Sequence, residues 1–112
     1  MFMNDRDTTH IRRLKEELAF VNEMLEGITR EHFLSNKILQ HAVTMSIITL
    51  GECTNRLSDE FKENYKEIEW TQITAVRNIA AHGYWQLKME QIWQMTIEDM
   101  PILETFCEQF NV

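Results

Sequence analysis

Turn-forming residues are scarce in this chain of 112 residues, which contains one proline and three glycines. A fold of many short strands needs a turn between successive strands and would use both residue types more often. The scarcity therefore argues against a many-stranded fold and favours a few long helices. The length suits one domain, which we expect to span residues 1–112.

Long apolar runs and closely paired cysteines are also absent from the sequence. No segment reaches the roughly 18 uninterrupted apolar residues of a membrane-spanning helix, and the polar start of the chain does not resemble a secretion signal. Cys53 and Cys107 lie far apart and form no CxxC pair. We therefore expect a cytoplasmic protein without membrane contact, in which both cysteines are buried and reduced.

Positive charge is in short supply, because the formal net charge is −7. This balance excludes a protein that coats nucleic acid generally, since such binding depends on neutralising many phosphates. The charge is nevertheless uneven: residues 1–37 hold six Lys and Arg against seven acids, and residues 38–112 hold five against eleven. A local basic groove near the start of the chain is therefore compatible with the sequence, whereas a wholly basic surface is excluded.

Apolar residues in the first third of the chain recur three or four positions apart, which is the spacing of one helix face. They are Ile11, Leu14, Leu18, Val21, Leu25 and Ile28. The pattern predicts a first core helix that begins at a cap residue, Asp7 or Thr8, and ends near Gly27.

The next long helix is predicted from about Asn36 to Leu57, with Ser35 or Asn36 as its cap. Its apolar residues run almost all the way round, so it should be central, or face both the core and a second subunit. Gly51 interrupts it, and close backbone packing would offset the cost of about 1 kcal/mol for a helical glycine. Glu52 is expected to be a paired acid at the wetter end of this helix.

The rest of the chain is predicted as short connectors and two further helices. Residues 29–36 and 58–69 should be connectors that contain a short helical turn. A third helix should run from near Trp70 to His82, followed by Gly83 in the left-handed conformation that glycine adopts without strain.

The fourth helix should begin near Met89 and carry a wide apolar stripe to the end of the chain. Pro101 lies inside that stripe and cannot donate a backbone hydrogen bond. We therefore expect the helix to be kinked there, or to restart with Asp99 as its cap.

The segment from Arg77 to Tyr84 brings together a permanent cation, an imidazole and a phenol. An imidazole can take the proton of a ribose 2′-hydroxyl or protonate a leaving oxygen. A guanidinium can hold a phosphate at two points and stabilise charge in the transition state. Transesterification of RNA is thus one interpretation, with His82 as general acid and base and Arg77 as phosphate clamp.

A structural interpretation of the same segment stays open. Arg77 could pair with an acid, His82 could cap carbonyl groups at the helix end, and Tyr84 could pack against a neighbouring tryptophan. Arg77 and His82 are five positions apart, or about 140° round an ideal helix, so they do not share one face. Their long side chains could still converge in a shallow groove, especially if a second subunit closes it.

Several other chemistries lack their sequence patterns. There is no HExxH and no Glu-x-x-His, so zinc-protease and di-iron sites lack their ligands, and no metal site is expected. No glycine-rich phosphate loop occurs, and neither cysteine has a histidine nearby in sequence. His10, His32 and His41 are expected among polar residues or on helix surfaces.

The segment of arginine, four residues, histidine, one residue and tyrosine, with Asn78 after the arginine, resembles the signature of HEPN-domain ribonucleases of the HepT type. The resemblance covers roughly residues 8–110 and includes Gly51-Glu52, Ile68, Trp70, Trp93 and Pro101. Two positions depart from the family pattern. Glu69 stands where members often have proline, and Lys88 stands where they often have an acid.

The resemblance implies an all-α, antiparallel bundle of four to five helices that dimerises, with two motif helices at a shared cleft. It implies RNA cleavage without metal or cofactor, by the toxin of a type VII-like HepT/MntA toxin–antitoxin pair. Arg77 and His82 would be the catalytic residues and Asn78 a supporting contact. A minimal nucleotidyltransferase of the MntA type would silence the toxin by transferring AMP to Tyr84.

Two alternatives remain open at the level of the sequence. One is a non-catalytic, dimeric helical module that binds a nucleotidyltransferase partner and retains the motif for the interface. The weaker one is a nucleotide-binding module, which would bind ATP or AMP without turning over RNA. RNA cleavage that disappears with His82 separates the ribonuclease from both.

Overall fold

The computed structural model describes residues 3–112, with the exception of the side chain of Tyr84. Within that range the backbone forms helices and turns and no β-strand, which confirms the predicted all-α class. The elements in chain order are α1 (Asp5–Leu25), α2 (Arg30–Ser35), α3 (Lys37–Arg56), α4 (Asp59–Asn64), α5 (Trp70–His82), a 3₁₀ turn (Tyr84–Gln86), α6 (Met89–Gln94), a π-helical segment (Met95–Asp99) and α7 (Met100–Glu108). None of these helices combines the length and apolar character that a membrane crossing requires.

Helix α3 lies in the middle of the fold, with α1 packed on one side and α5 on the other. This arrangement confirms the central position predicted from its apolar residues. The buried stripe of α1, at Ile11, Leu14, Leu18 and Val21, joins Val43, Ile47 and Leu50 of α3 in the core. The core therefore draws on both helices at the positions that their periodicity indicates.

Aromatic side chains fill the end of the core between α4, the start of α5 and α7. Phe61 is 1% exposed, and its ring centroid lies 5.6 Å from that of Phe110 and 6.3 Å from that of Phe106. The ring of Trp70 lies 5.6 Å from that of Phe106. These edge-on and tilted contacts fasten the first turn of α5 to the core.

Helix α1 begins earlier than predicted. Asn4 is its cap and accepts a hydrogen bond from the Asp7 backbone N–H at 2.7 Å. Asp7 lies inside the helix, is buried, and accepts from the Ser58 backbone N–H at 2.7 Å and the Ser58 hydroxyl at 2.6 Å. The prediction of Asp7 or Thr8 as cap is wrong because the Asp7 carboxylate instead joins α1 to the start of α4.

Both connectors contain a helix of six residues where the sequence suggested a short helical turn. Residues 30–35 form the complete helix α2, capped by Thr29, whose hydroxyl accepts from the His32 N–H at 3.1 Å. Asn36 caps α3 as predicted and accepts from the Leu39 N–H at 3.0 Å. Residues 59–64 form α4, capped by Ser58.

The last helix restarts at Pro101, as predicted, by way of the π-helical segment Met95–Asp99. Proline has no N–H for a partner one turn earlier, and a wider π turn accommodates that loss. Asp99 does not act as the cap, because its backbone is helical and its side chain makes no capping hydrogen bond. This part of the prediction is wrong.

Candidate active site

Helix α5 carries the motif and ends where the sequence predicts. It runs from Trp70 to His82, and the Gly83 N–H donates to the Ile79 carbonyl at 2.8 Å. The predicted left-handed conformation of Gly83 is wrong: its φ is −161°, which is extended backbone. The chain leaves α5 straight into the 3₁₀ turn, where the Gln86 N–H donates to the Gly83 carbonyl at 2.8 Å.

The position of α5 against α3 is set by a close approach at Gly51. A Cβ atom on Gly51 would lie 2.2 Å from the Cβ and 2.7 Å from the Cγ of Arg77, distances that no real pair of carbons adopts. Only a residue without a side chain lets the helices come this close. The predicted close packing at Gly51 is confirmed, and the residue packed against it is the motif arginine itself.

The Arg77 guanidinium is oriented by two oxygen acceptors. Its Nε donates to Glu52 Oε1 at 2.6 Å, its Nη2 contacts the same oxygen, and its Nη1 donates to Asn78 Oδ1. A guanidinium has five N–H groups, so one N–H on each terminal nitrogen is left for another partner. The Arg77 side chain is 21% exposed. It is therefore held in place without being covered.

Glu52 is the site residue whose function the sequence did not suggest, although it was expected to be a paired acid. That expectation is confirmed, and the partner is the motif arginine. Its second oxygen, Oε2, lies 3.8 Å from Nε of Arg56, one turn further along α3. The signal available in the sequence was an acid directly after the glycine that interrupts the central helix.

His82 lies in the last turn of α5 and is exposed. Among the residues whose side chains are described, it makes no hydrogen bond and no ion pair, so the carbonyl-capping role of the structural interpretation is not observed. The structure brings together Arg77, Asn78 and Glu52, and His82 lies one turn after Asn78 on the same helix. The predicted site at Tyr84 falls on a side chain outside the described residues; its backbone opens the 3₁₀ turn.

The other histidines divide into two groups. His32 and His41 are exposed on α2 and α3, as expected. His10 is 8% exposed and so does not lie on a helix surface, which leaves the expected position among polar residues; its Nδ1 has no hydrogen-bond partner among residues 3–112. Burial, followed by the charges of Arg13, Arg56 and Arg6, lowers the pKa of His10.

Neither cysteine is placed to act as a nucleophile. Cys53 and Cys107 are free thiols and buried, as predicted. Burial raises the pKa of Cys107 to about 12 and also raises the pKa of Cys53, so both remain thiols at neutral pH. In the part of the chain that the structure describes, no three His, Cys, Asp or Glu side chains are grouped to hold a metal ion.

Comparison with known proteins gives a family match over most of the chain. The profile of the family described as ribonuclease HepT-like matches residues 14–110. The chain belongs to the HepT-like ribonuclease family. The matched range contains Glu52, Arg77, His82 and Tyr84, and it confirms the resemblance stated from the motif. It also confirms the expected enzyme class, a ribonuclease.

Individual relatives of this HepT-like chain are similar over most of their own length. A protein of Thermococcus cleftensis named probable ribonuclease HepT is 30% identical over 93 residues, or 80% of this chain and 84% of that protein. A protein of Caldanaerobacter subterraneus subsp. tengcongensis named as a candidate RNase is 27% identical over 95 residues, or 85% of each chain. A candidate RNase of Methanocaldococcus jannaschii is 27% identical over 81 residues, or 72% of this chain and 74% of that protein. No solved structure gives a significant match.

Proposed function

We propose that this chain is a metal-independent endoribonuclease that cleaves RNA by transesterification at the end of α5. His82 takes the proton of a ribose 2′-hydroxyl, whose oxygen then forms a bond to the adjacent phosphorus. The bond from phosphorus to the 5′-oxygen of the next nucleotide breaks, and that oxygen takes up a proton. Arg77 holds the phosphate and stabilises the charge that its oxygens gain in the transition state.

The observation that carries this proposal is the way the Arg77 guanidinium is bound, which leaves N–H groups available for a phosphate. Glu52 binds the guanidinium through Nε and Nη2 and Asn78 through Nη1, which leaves one N–H on each terminal nitrogen. N–H groups on two nitrogens of a guanidinium can bind two oxygens of a phosphate. An exposed imidazole, His82, stands five residues further along the same helix. Asn78 serves as a supporting contact that orients the clamp.

A second copy of the chain would complete this site. Arg77 and His82 are on different faces of α5, so one copy does not enclose a substrate between them. Large apolar side chains are exposed on both α3 and α5: Ile38 is 84% exposed, Met45 62% and Ile79 46%. We infer a homodimer in which these side chains meet and the two α5 helices line a shared cleft.

The same end of α5 suits control by modification. Tyr84 follows His82 by two residues and lies directly after the end of the helix. AMP attached to its phenol would bring negative phosphate near Arg77 and bulk near His82. The modified protein would be a silenced toxin, and the cognate nucleotidyltransferase of the MntA type would be its antitoxin. The bond formed is a phosphodiester to the phenol oxygen, with pyrophosphate leaving from ATP.

The alternative function is a non-catalytic helical module that binds the nucleotidyltransferase. The observation in its favour is that Arg77 of α5 pairs with Glu52 of α3. In this alternative the ion pair stabilises α5 against α3, and the motif is a recognition surface. Both functions use the same face of the protein, so only measured RNA turnover separates them.

The test of the proposed function is cleavage of labelled single-stranded RNA by purified protein in the presence of EDTA. The unmodified protein should cut the RNA, and His82→Ala and Arg77→Ala should each lose at least about 10²-fold in rate. His32→Ala, which removes an exposed histidine on α2, is the matched control and should retain full activity. Full activity in His82→Ala, or a strict requirement for Mg²⁺, would overturn the mechanism.

Dimerisation and modification each have a direct measurement. Light scattering at micromolar concentration should give the mass of two chains, and Met45→Glu should shift it towards one. After co-expression with the nucleotidyltransferase, mass spectrometry should find AMP on Tyr84 and none on Tyr65. Tyr84→Phe should still cleave RNA but should escape silencing. An inactive Tyr84→Phe protein would make the phenol part of the catalytic machinery instead.

A further inference from the structure

A row of arginines crosses the fold from α1 to the candidate active site. The Nε of Arg6 donates to the carbonyl oxygen of Arg56 at 2.6 Å. The Nε of Arg56 lies 3.8 Å from Oε2 of Glu52, whose other oxygen binds Arg77. These contacts arrange Arg6, Arg56 and Arg77 in a row from the start of α1, over the end of α3, to the motif arginine on α5, with the Glu52 carboxylate between Arg56 and Arg77.

Arg13 belongs to the same surface. It follows Arg6 by seven residues on α1, which brings it to the same helix face about 10 Å further along. His10 lies between them on that face and is buried. Arg13, Arg56 and Arg6 are all near enough to His10 for their charges to lower its pKa. We call Arg6, Arg13 and Arg56 the α1–α3 arginine cluster.

The cluster concentrates cations in a protein that is otherwise acidic. Three of the eleven Lys and Arg residues of a chain with a net charge of −7 stand together here. Two nearby carboxylates have further partners: Asp7 binds Ser58, and Glu52 binds Arg77 as well as contacting Arg56. Among residues 3–112, Arg13 has no ion pair and no hydrogen bond, and Arg6 has only its bond to a carbonyl. Like charges this close repel one another unless an anion joins them.

The negative end of the α3 helix dipole accounts for only part of this arrangement of arginines. Arg6 can stabilise the last carbonyl groups of α3, where the helix dipole is negative. That role does not require Arg13, which lies a further two turns along α1. A polyanion that follows the row would contact Arg56, Arg6 and Arg13 together.

We propose that the α1–α3 arginine cluster binds the phosphates of single-stranded RNA and leads the strand to Arg77. The inference rests on the proposed function, because it assigns the RNA path of that same site. A strand with a phosphate on Arg77 would pass over the end of α3, and its neighbouring phosphates would meet Arg56 and Arg6. Nucleic acid fits better than an acidic protein surface because the cations form a single row that continues to the catalytic cation.

The test compares two substrates and two pairs of variants. The substrates are a dinucleotide, which can reach only the site at α5, and a single strand of about 20 nucleotides, which is long enough to follow the row. The variants are the double replacement Arg6→Gln with Arg13→Gln and the matched control Arg12→Gln with Arg30→Gln. Both remove two exposed arginines, but the control pair lies outside the cluster. Circular dichroism and thermal melting check that each variant is folded.

The cluster variant should cleave the dinucleotide at the rate of the unmodified protein and lose roughly tenfold in kcat/KM on the long strand. In the inactive His82→Ala background, the salt dependence of binding to the long strand should become shallower by about 1.4, because two single-strand phosphate contacts are removed. The control pair should change kcat/KM on the long strand and the salt dependence of binding much less.

The outcomes separate this inference from the proposed function. Equal losses in the cluster and control variants would overturn the inference and leave the ribonuclease intact. Binding through the cluster without any cleavage would support the inference and overturn the ribonuclease. Unchanged RNA cleavage with lost binding of the nucleotidyltransferase would assign the cluster to that protein and overturn the RNA path. An unmodified protein that neither binds nor cleaves RNA would overturn both.

Discussion

Helices α3 and α5 lie side by side but are held in the fold by different kinds of contact. Helix α3 buries nine of its 20 residues, whereas α5 buries two of its 13, Trp70 and Ala80. Helix α3 is enclosed by α1 and α5 and supplies much of the core. Helix α5 is attached at its first turn by Trp70 and further along by Gly51 and Glu52 of α3.

In this small protein, different helices provide the stability of the fold and carry the candidate catalytic residues. Apolar burial of about 25 cal/mol per Å² is the main source of stability, and most of it lies in α1, α3 and the aromatic cluster. The candidate catalytic residues lie on a helix that contributes little to that core. His82 is exposed and Arg77 is partly exposed because α5 buries few of its residues. Arg77 is positioned because Gly51 and the Glu52 carboxylate fix its approach to α3.

The largest expected effect is a loss of stability when the aromatic core is disrupted. Phe61→Ala should lower the free energy of unfolding by about 3–5 kcal/mol, because Phe61 is 1% exposed and packs against several aromatic rings. Urea denaturation measures the change. Phe20→Ala is the control, since that ring is 49% exposed and its loss should cost far less. Equal costs at both positions would mean that the aromatic cluster does not anchor the fold.

Gly51→Ala tests the contact where the two regions meet. The added methyl group overlaps the Arg77 side chain, so α5 must move away from α3 or Arg77 must turn. We expect a loss of about 1–3 kcal/mol in stability and a fall in RNA cleavage at the same time. Gly83→Ala is the control for stability, because its φ of −161° suits any residue. Full activity in a stable Gly51→Ala protein would show that α5 tolerates displacement.

Glu52→Gln should affect the chemistry more than the fold. The amide keeps the size of the side chain but removes the charge that orients the Arg77 guanidinium. We expect roughly tenfold slower cleavage, equivalent to about 1.4 kcal/mol, and a change in stability below about 1 kcal/mol, because the pair is partly exposed. Glu63→Gln, in the exposed pair with Lys66, is the control. A large loss of stability in Glu52→Gln would make the pair chiefly structural.

The smallest expected effect concerns His10 and pH. Its pKa in the folded protein is lowered below 6.5, first by burial and then by the three neighbouring arginines, with Asp7 opposing them. Below pH 6.5 the unfolded chain therefore binds a proton more readily, so stability falls as the pH drops from 6.5 towards the lower folded pKa. Thermal melts at about pH 8 and pH 5.5 should show a smaller fall for His10→Leu than for the unmodified protein. An equal fall would contradict the burial of His10.

Much of the fold was predictable because its causes are local. The spacing of Ile11, Leu14 and Leu18 indicates one helix face, and that face is buried. The bounds of α5 and the cap at Asn36 also follow from neighbouring residues. Local patterns failed where a distant residue competed: Asp7 has the chemistry of a cap, but Ser58 recruits its carboxylate from 51 positions away.

Sequence patterns alone were enough to predict the helical class, the central helix, the motif and, through that motif, the ribonuclease family. Helical periodicity and short motifs can be recognised in a sequence because they depend on residues a few positions apart. The acid that holds Arg77, the burial of His10 and the row of arginines from α1 and α3 towards α5 follow only from three-dimensional packing. Those relations join residues 25 to 50 positions apart, and the packing of α1 and α5 on either side of α3 brings them together.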